Sequence, residues 1–258
     1  MHKIKSLRTN HPQPFLNQLV SIFIMELMNW RWSWRFTLTI GLIAPLIFTV
    51  MIGAMAQTSD PQTVAYWLTG NIILSLMFTN LSRMANRFAF MREVGSLDYF
   101  ATLPIRRSAL VAGVLTSFFL ISLPAVIATI LFSAYYLDIQ FQIHPLLIVV
   151  LPLVGMALAG TGAFIGVTAR SQDEAITYGQ VVSLLLLIIG PVMMPPDRLP
   201  RAVELLGWFS PATYGASALR QTLLGPMTPR FWLDIFVLTG ITVGFLWLVG
   251  HRMDWRQR

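Results

Sequence analysis

Cysteine is absent from the 258-residue chain, which excludes disulfides and thiol chemistry and leaves the redox compartment open. Charge is scarce as well: Asp, Glu, Lys and Arg make up 11% of the residues against 55% hydrophobic, and mean hydropathy is +0.66. Soluble domains carry about 25% charged residues, so this balance belongs to an integral membrane protein. Catalytic signatures are missing too. No GxxxxGK[ST] stretch is present to cradle ATP, no HExxH to hold zinc and no GxSxG to present a nucleophile. His2, His11, His144 and His251 are scattered near termini or the edges of apolar runs, so neither a metal site nor another cofactor site is legible. The apolar runs also lack the interior charge that ion-coupled carriers use, Asp234 near the start of the last run coming closest.

What charge there is lies in a telling place. The net charge is +7, with Lys and Arg at the edges of apolar runs, a pattern of cytoplasmic loops rather than of a nucleic-acid grip. A spanning helix needs about 20 mostly apolar residues. Six windows supply them: Phe36–Ala56, Gln62–Ser82, Ser108–Tyr136, His144–Ala169, Ala175–Met194 and Phe231–Gly250. The second is the most polar, with Asn71, Ser75, Thr79 and Asn80. Placing both termini in the cytoplasm puts 14 of the 18 basic residues there, and the short outer loops around Asp60 and Asp138 contain none. The expected organisation is an interfacial segment over residues 1–35, a six-helix transmembrane domain over 36–250 and a cytoplasmic tail over 251–258. The first 35 residues carry charges and three tryptophans without a short apolar core and small-residue cleavage site, which argues against a cleaved signal peptide.

Three segments are not simple spans. In "FLNQLVSIFIMELMNWRWSWRF", Gln18, Glu26, Asn29 and Ser33 fall on one helical stripe among aromatic and apolar residues. Such a helix lies along the interface, with Trp30, Trp32 and Trp34 at headgroup level and Arg31 and Arg35 reaching phosphates; a plain membrane anchor is the alternative. The second segment, "FMREVGSLDYFATLPIRRSAL", is a charged helix over about residues 86–104 that Gly95 and Ser96 thin and Pro104 ends. It either presents Phe90, Val94 and Leu97 with its charges to a cytoplasmic partner or packs on itself as a solvated loop. The third, Pro195 to Gly225, is broken at Pro200 and Pro211 into two pieces too short to cross the membrane. A re-entrant or interfacial hairpin over the outer mouth fits them, against helices merely resting on the outer leaflet.

Inside the runs, most hydroxyls and amides are expected to bond helix carbonyls, a few being free to line a path. "GMALAGTGAFIG" sets Gly162 and Gly166 four apart, the spacing of close helix packing, and Pro45, Pro124, Pro152 and Pro191 are expected to kink or open their helices.

The stretch "REVGSLDYFATLP" resembles the cytoplasmic signature of ABC-2-type transporter permeases: an Arg-Glu pair, a Gly-Thr-Leu-Glu core and a closing proline. Arg92 and Glu93 match the pair, Gly95, Ser96, Leu97 and Asp98 match the core with changes at Ser96 and Asp98, and Pro104 matches the proline. "GPVMMPPDRLPRAVELLGWFSPATYGASALRQTLLG" is similar to the family's outer run, with Pro200, Pro211, Thr213 and Tyr214 as outer-gate positions and Ser210 where Asn is usual. The resemblance implies a permease subunit whose coupling helix seats in a separate ATP-binding subunit, with ATP and Mg on that partner and a second permease, identical or not, completing the pair. "NWRWSWRFTLTIGLIAPLIF" looks closer to the drug- and lipid-exporting branch than to the polysaccharide exporters, which implies a hydrophobic or amphiphilic substrate leaving across the plasma (inner) membrane. Walls without a paired charge point the same way, with a charged end tolerated near Arg31, Arg35, Arg198 or Arg201. A non-transport scaffold or assembly protein is the competing class.

Overall fold

The computed structural model describes residues 14–31, 34–56 and 59–252. They form α1 (Phe15–Trp30), α2 (Trp34–Ala56), α3 (Pro61–Leu76), α4 (Ser82–Glu93), α5 (Ser96–Thr102), α6 (Arg107–Leu137), α7 (Leu147–Thr168), α8 (Gln172–Ile188), α9 (Arg201–Gly207), α10 (Pro211–Leu223) and α11 (Arg230–Arg252), with no strand among the described residues. Among the described residues, four helical stretches are long and apolar enough to cross a membrane: Pro61–Glu93, Arg107–Leu137, Leu147–Thr168 and Arg230–Arg252. α2 adds a shorter apolar stretch, Gly41–Ala56, and α8 has 17 residues.

The second window runs on well past Ser82. Asp60 caps α3 by accepting from the Thr63 backbone N–H, Pro61 opens its first turn, and neither glycine nor proline follows Asn71 until Gly95. α3, a π turn at Met77–Leu81 and α4 therefore form one helix of 33 residues. At 1.5 Å per residue it is about 50 Å long, beyond the roughly 30 Å of a hydrocarbon core. The charged end of α4 is thus the continuation of an apolar helix rather than a separate amphipathic one.

α7 crosses this rod at the π turn and α4. A Cβ at Gly162 would land on the Leu81 carbonyl oxygen, and one at Gly166 on that of Ala85, so the four-residue spacing of the glycines meets the same spacing of backbone on the rod. Around this crossing lie two apolar cores. One is built on Leu68, Ile72, Leu76, Val154, Leu158 and Leu219, the other on Ile22, Met84, Phe88, Met91, Leu110 and Val114.

α1 is turned the opposite way from a helix with water on one side. Gln18, Ile22 and Glu26 are buried against α6 and α4, while Leu16, Val20, Ile24 and Met28 are exposed. The polar stripe faces protein and the apolar face outward, an arrangement suited to lipid. Asn29 is exposed and departs from the stripe, while Trp32 and Ser33 lie outside the described residues. Pro45, Pro124 and Pro152 sit inside helices, but Pro191 follows the end of α8, where Gly190 (φ 88°) turns the chain. Many hydroxyls bond their own helix, as Thr116 does with the Ala112 carbonyl and Thr161 with that of Ala157. Others join helices: Asn71 Nδ2 donates to the Pro45 carbonyl (2.9 Å) and to Thr49 Oγ1 (2.8 Å), and Thr49 meets Ser133 at 3.2 Å.

Candidate functional site

The candidate coupling segment is two helices around a corner rather than one thinned helix. α4 ends at Glu93, and Gly95 adopts φ 71° with nothing within 4 Å of where a Cβ would stand, so the backbone angle and not crowding selects glycine there. α5 then runs seven residues before Leu103 and Pro104. Leu97 and Phe100 turn inward, into the core with Met91 and Leu110, whereas Glu93, Val94, Asp98, Tyr99 and Pro104 are exposed. The corner therefore presents a ledge with two carboxylates, a tyrosine and a valine, backed by a rigid apolar core. Ser96 is half-buried at the start of α5.

Two of the sequence-selected residues are occupied within the chain. Leu97 is 5% exposed, which removes it from the docking surface to which its spacing assigned it. Arg92 Nη1 donates to the Val167 carbonyl at 3.1 Å, capping the end of α7. Gln18 was not selected as a site residue, yet its amide brackets the loop behind the ledge: Nε2 donates to the Pro104 carbonyl at 3.2 Å and Oε1 accepts from the Arg106 backbone N–H at 2.9 Å. Next to it Glu26, 3% exposed, pairs with Arg87 at 2.6 Å, fixing α1 to α4. Both residues lie outside the six apolar windows, so the pair leaves the expectation of span walls without a paired charge untouched. Its signal was the i, i+4, i+8 spacing of Gln18, Ile22 and Glu26, whose facing direction periodicity leaves open.

At the other end, α10 runs antiparallel along α3, with Gly215 beside Ile73 and Arg220 beside Tyr66. The segment from Pro195 to Gly225 is uneven: α9 is seven residues with an exposed apolar face, while α10 is buried through Pro211, Thr213, Tyr214, Gly215 and Leu219. Tyr214 donates its hydroxyl to the Trp208 carbonyl at 2.7 Å, closing the bend between them, and Pro200 precedes the first turn of α9. A Cβ at Gly190 would fall 2.7 Å from the Gly207 Cα, so the end of α8 touches this bend.

A buried charge cluster ties the outer segment together, and the sequence signalled it only through Asp234. Arg220 stacks on Tyr66, its guanidinium carbon 3.4 Å from the ring centroid, and its Nη2 donates to Thr69 Oγ1 and to the Pro191 carbonyl. Asp234 is fully buried and its Oδ2 accepts from Ser217 Oγ (2.6 Å) and Gln221 Nε2 (3.2 Å). Arg198, expected to receive a charged substrate end, is paired with Asp60 at 2.6 Å. Hydrogen bonds from the Thr63 hydroxyl and backbone N–H, helped by Arg198, hold the Asp60 carboxyl down from 3.8 to about 2. Its contribution to stability is accordingly present above the ordinary value of 3.8 and is lost as pH falls through about 2.

An all-helical set of described residues with apolar spans, a braced ledge at one end and a buried helical pair at the other belongs to a polytopic membrane protein with a distinct feature at each end. The sequence model of the ABC-2 type transporter family matches residues 17–224, and the chain belongs to that family. Members of that family are membrane proteins of transporters that normally pair with an ATP-binding subunit. Nodulation protein J of Rhizobium leguminosarum bv. viciae is similar to it, 30% identical over 89 residues, a match that spans 34% of this chain and 34% of that protein.

Proposed function

We propose that this chain is the permease of an ATP-driven exporter in the plasma (inner) membrane, with six spans and both termini cytoplasmic. Its α4–α5 corner couples it to the ATP-binding subunit. The observation that carries this reading is the exposed ledge of Glu93, Val94, Asp98 and Tyr99 on an apolar core shared with α6. A ledge braced in this way passes a push from below into the spans, instead of yielding as a loose loop would. ATP and Mg belong to the partner, and a second permease copy completes the path. α9 and α10 form the re-entrant outer gate, consistent with the antiparallel course of α10 beside α3.

Charge reversal of Glu93 and Asp98 together is expected to remove the ATP-binding subunit from affinity-purified complexes while leaving the permease folded, since both side chains are exposed. Unchanged co-purification and unchanged substrate-stimulated hydrolysis would overturn the assignment. Leu97→Lys is the wrong probe: a charge forced into the core unfolds the corner whether or not a partner docks there. Topology is read separately, with single cysteines placed at the exposed positions 98 and 138 of this cysteine-free chain. An impermeant thiol reagent should reach position 138 in intact cells and position 98 only after lysis; the reverse pattern would invert the fold.

The substrate that fits this reading is an amphiphile, a drug or a lipid, entering between permease copies. Exposed apolar surface on α2, α8 and α11 suits its tail. In vesicles containing the partner subunit, lipids and amphiphilic drugs should stimulate ATP hydrolysis and sugars should not. Stimulation confined to sugars would place the chain with the polysaccharide exporters.

A further inference from the structure

We propose that the outer cavity between α9, α10 and the start of α11 binds the anionic headgroup, a phosphate or carboxylate, of the exported amphiphile. This rests on the export reading above and names the charge of its substrate. The cavity has two lobes of about 170 and 210 Å3 that share Pro191, Pro196, Thr213 and Arg230. Arg220 lines the first lobe, and Trp208, Tyr214 and Leu233 line the second.

The first lobe has hydrogen-bonding capacity left over. Gln221 Oε1 is taken by the Thr228 backbone N–H and hydroxyl, and Asp234 Oδ2 by Ser217 and Gln221. Thr213 is 3% exposed and lines both lobes, yet its Oγ1 has no hydrogen-bond partner; the same holds for Arg220 Nε. Arg230 lies 3.9 Å from Asp234 Oδ1, itself without a hydrogen bond, and is otherwise exposed at the cavity mouth. Two arginines and a threonine thus line one lobe, and the one carboxylate lining the cavity, Glu204, sits in the other. Buried polar groups are normally satisfied, so unmet donors beside a cavity mark where an acceptor belongs. An anion meets both the charge and the donors.

Size and surroundings select an anion that carries a tail. Each lobe is smaller than the roughly 300 Å3 of an ordinary ligand pocket and suits a headgroup alone. Leu205 and Phe209 beside Trp208 in the chain, and Phe236 a turn beyond Leu233, add exposed apolar surface to these elements. A head in the first lobe leaves its chain against that surface. The outer charge contact thereby moves from Arg198 to Arg230 and Arg220.

The test uses the purified chain alone in maltoside micelles, which carry no phosphate. Binding is compared for an anionic lysophospholipid, a neutral alkyl glycoside of equal chain length and inorganic phosphate. The lysophospholipid is expected to bind more tightly than either of the others. Arg230→Gln should weaken its binding by about tenfold, the loss of one charge-assisted contact. Arg230→Lys should retain most of it, and Thr213→Val, which removes a hydroxyl without a partner and nearly conserves shape, should weaken it without lowering Tm. Equal affinity for the neutral amphiphile, equal competition by inorganic phosphate, or wild-type binding in both Arg230→Gln and Thr213→Val would overturn the proposal. No ATP-binding subunit takes part, so failure here leaves the coupling assignment standing, and loss of coupling leaves this binding intact.

Discussion

Valine in place of Gly162 is expected to prevent α7 from seating on the α3–α4 rod and to remove most of the folded permease from detergent extracts. The added Cβ would coincide with the Leu81 carbonyl oxygen and stand 2.9 Å from the Leu81 Cα. Both obstacles are backbone, so no rotamer change relieves them and the helices must part. Overpacking a well-filled interior costs about 1–3 kcal/mol and sometimes more; separating this pair also strips contacts around Gly166, where a Cβ would meet the Ala85 carbonyl oxygen and lie 2.8 Å from the Phe88 Cβ. Gly240 and Gly244 on α11, with nothing within 4 Å of an added Cβ, are the matched controls. Alanine at either should leave stability unchanged or slightly raised, since an unconstrained helical glycine gives up about 0.5–1 kcal/mol relative to alanine. Thermal unfolding followed by size-exclusion chromatography reads both. A Gly162→Val protein as stable as the parent would mean that α7 does not lie against the rod at this crossing.

Glu26→Gln is expected to loosen α1 from the rest of the chain. Glu26 is buried and Arg87 one-fifth exposed, so removing the carboxylate leaves a largely desolvated guanidinium without its counter-charge. Breaking a buried pair from one side costs about 3–5 kcal/mol, and the remaining exposure of Arg87 puts this pair at the lower end. Gln18 holds Pro104 and Arg106 from the same helix, so loosening α1 should also raise proteolysis at the α5–α6 connection. The double variant Glu26→Gln, Arg87→Met should regain a good part of the lost stability, because neither partner is then left charged. The double-variant cycle separates this pair from its surroundings; additive losses would show that the two side chains do not depend on each other.

The membrane class, the apolar runs, the close-packing glycines and the family resemblance at Arg92–Pro104 all follow from residue type and spacing. Those properties are local, or nearly so: an apolar run of sufficient length is determined by its own residues, and Gly95 breaks a helix whatever lies beside it. Facing direction is another matter. The stripe of Gln18, Ile22 and Glu26 has the same period whether it meets water or Arg87, and only the packing of α1 on α6 and α4 turned it inward. Leu97 and Val94 share one apolar pattern, yet the left-handed turn at Gly95 sends the first into the core and leaves the second exposed. The continuation of the second span into α4 was legible in the lack of any breaker between Asn71 and Gly95, although charge at Arg83, Arg87 and Arg92 suggested a new element. Apart from Asp234, the charge cluster beside α10 was beyond sequence. Tyr66, Pro191, Arg220 and Asp234 lie far apart along the chain, and what brings them together is the antiparallel course of α10 beside α3 and the docking of α11 behind it. Burying a charge is unfavourable until its partners arrive from distant elements, so the placement of charge is decided by tertiary structure even where the spans themselves are decided by composition.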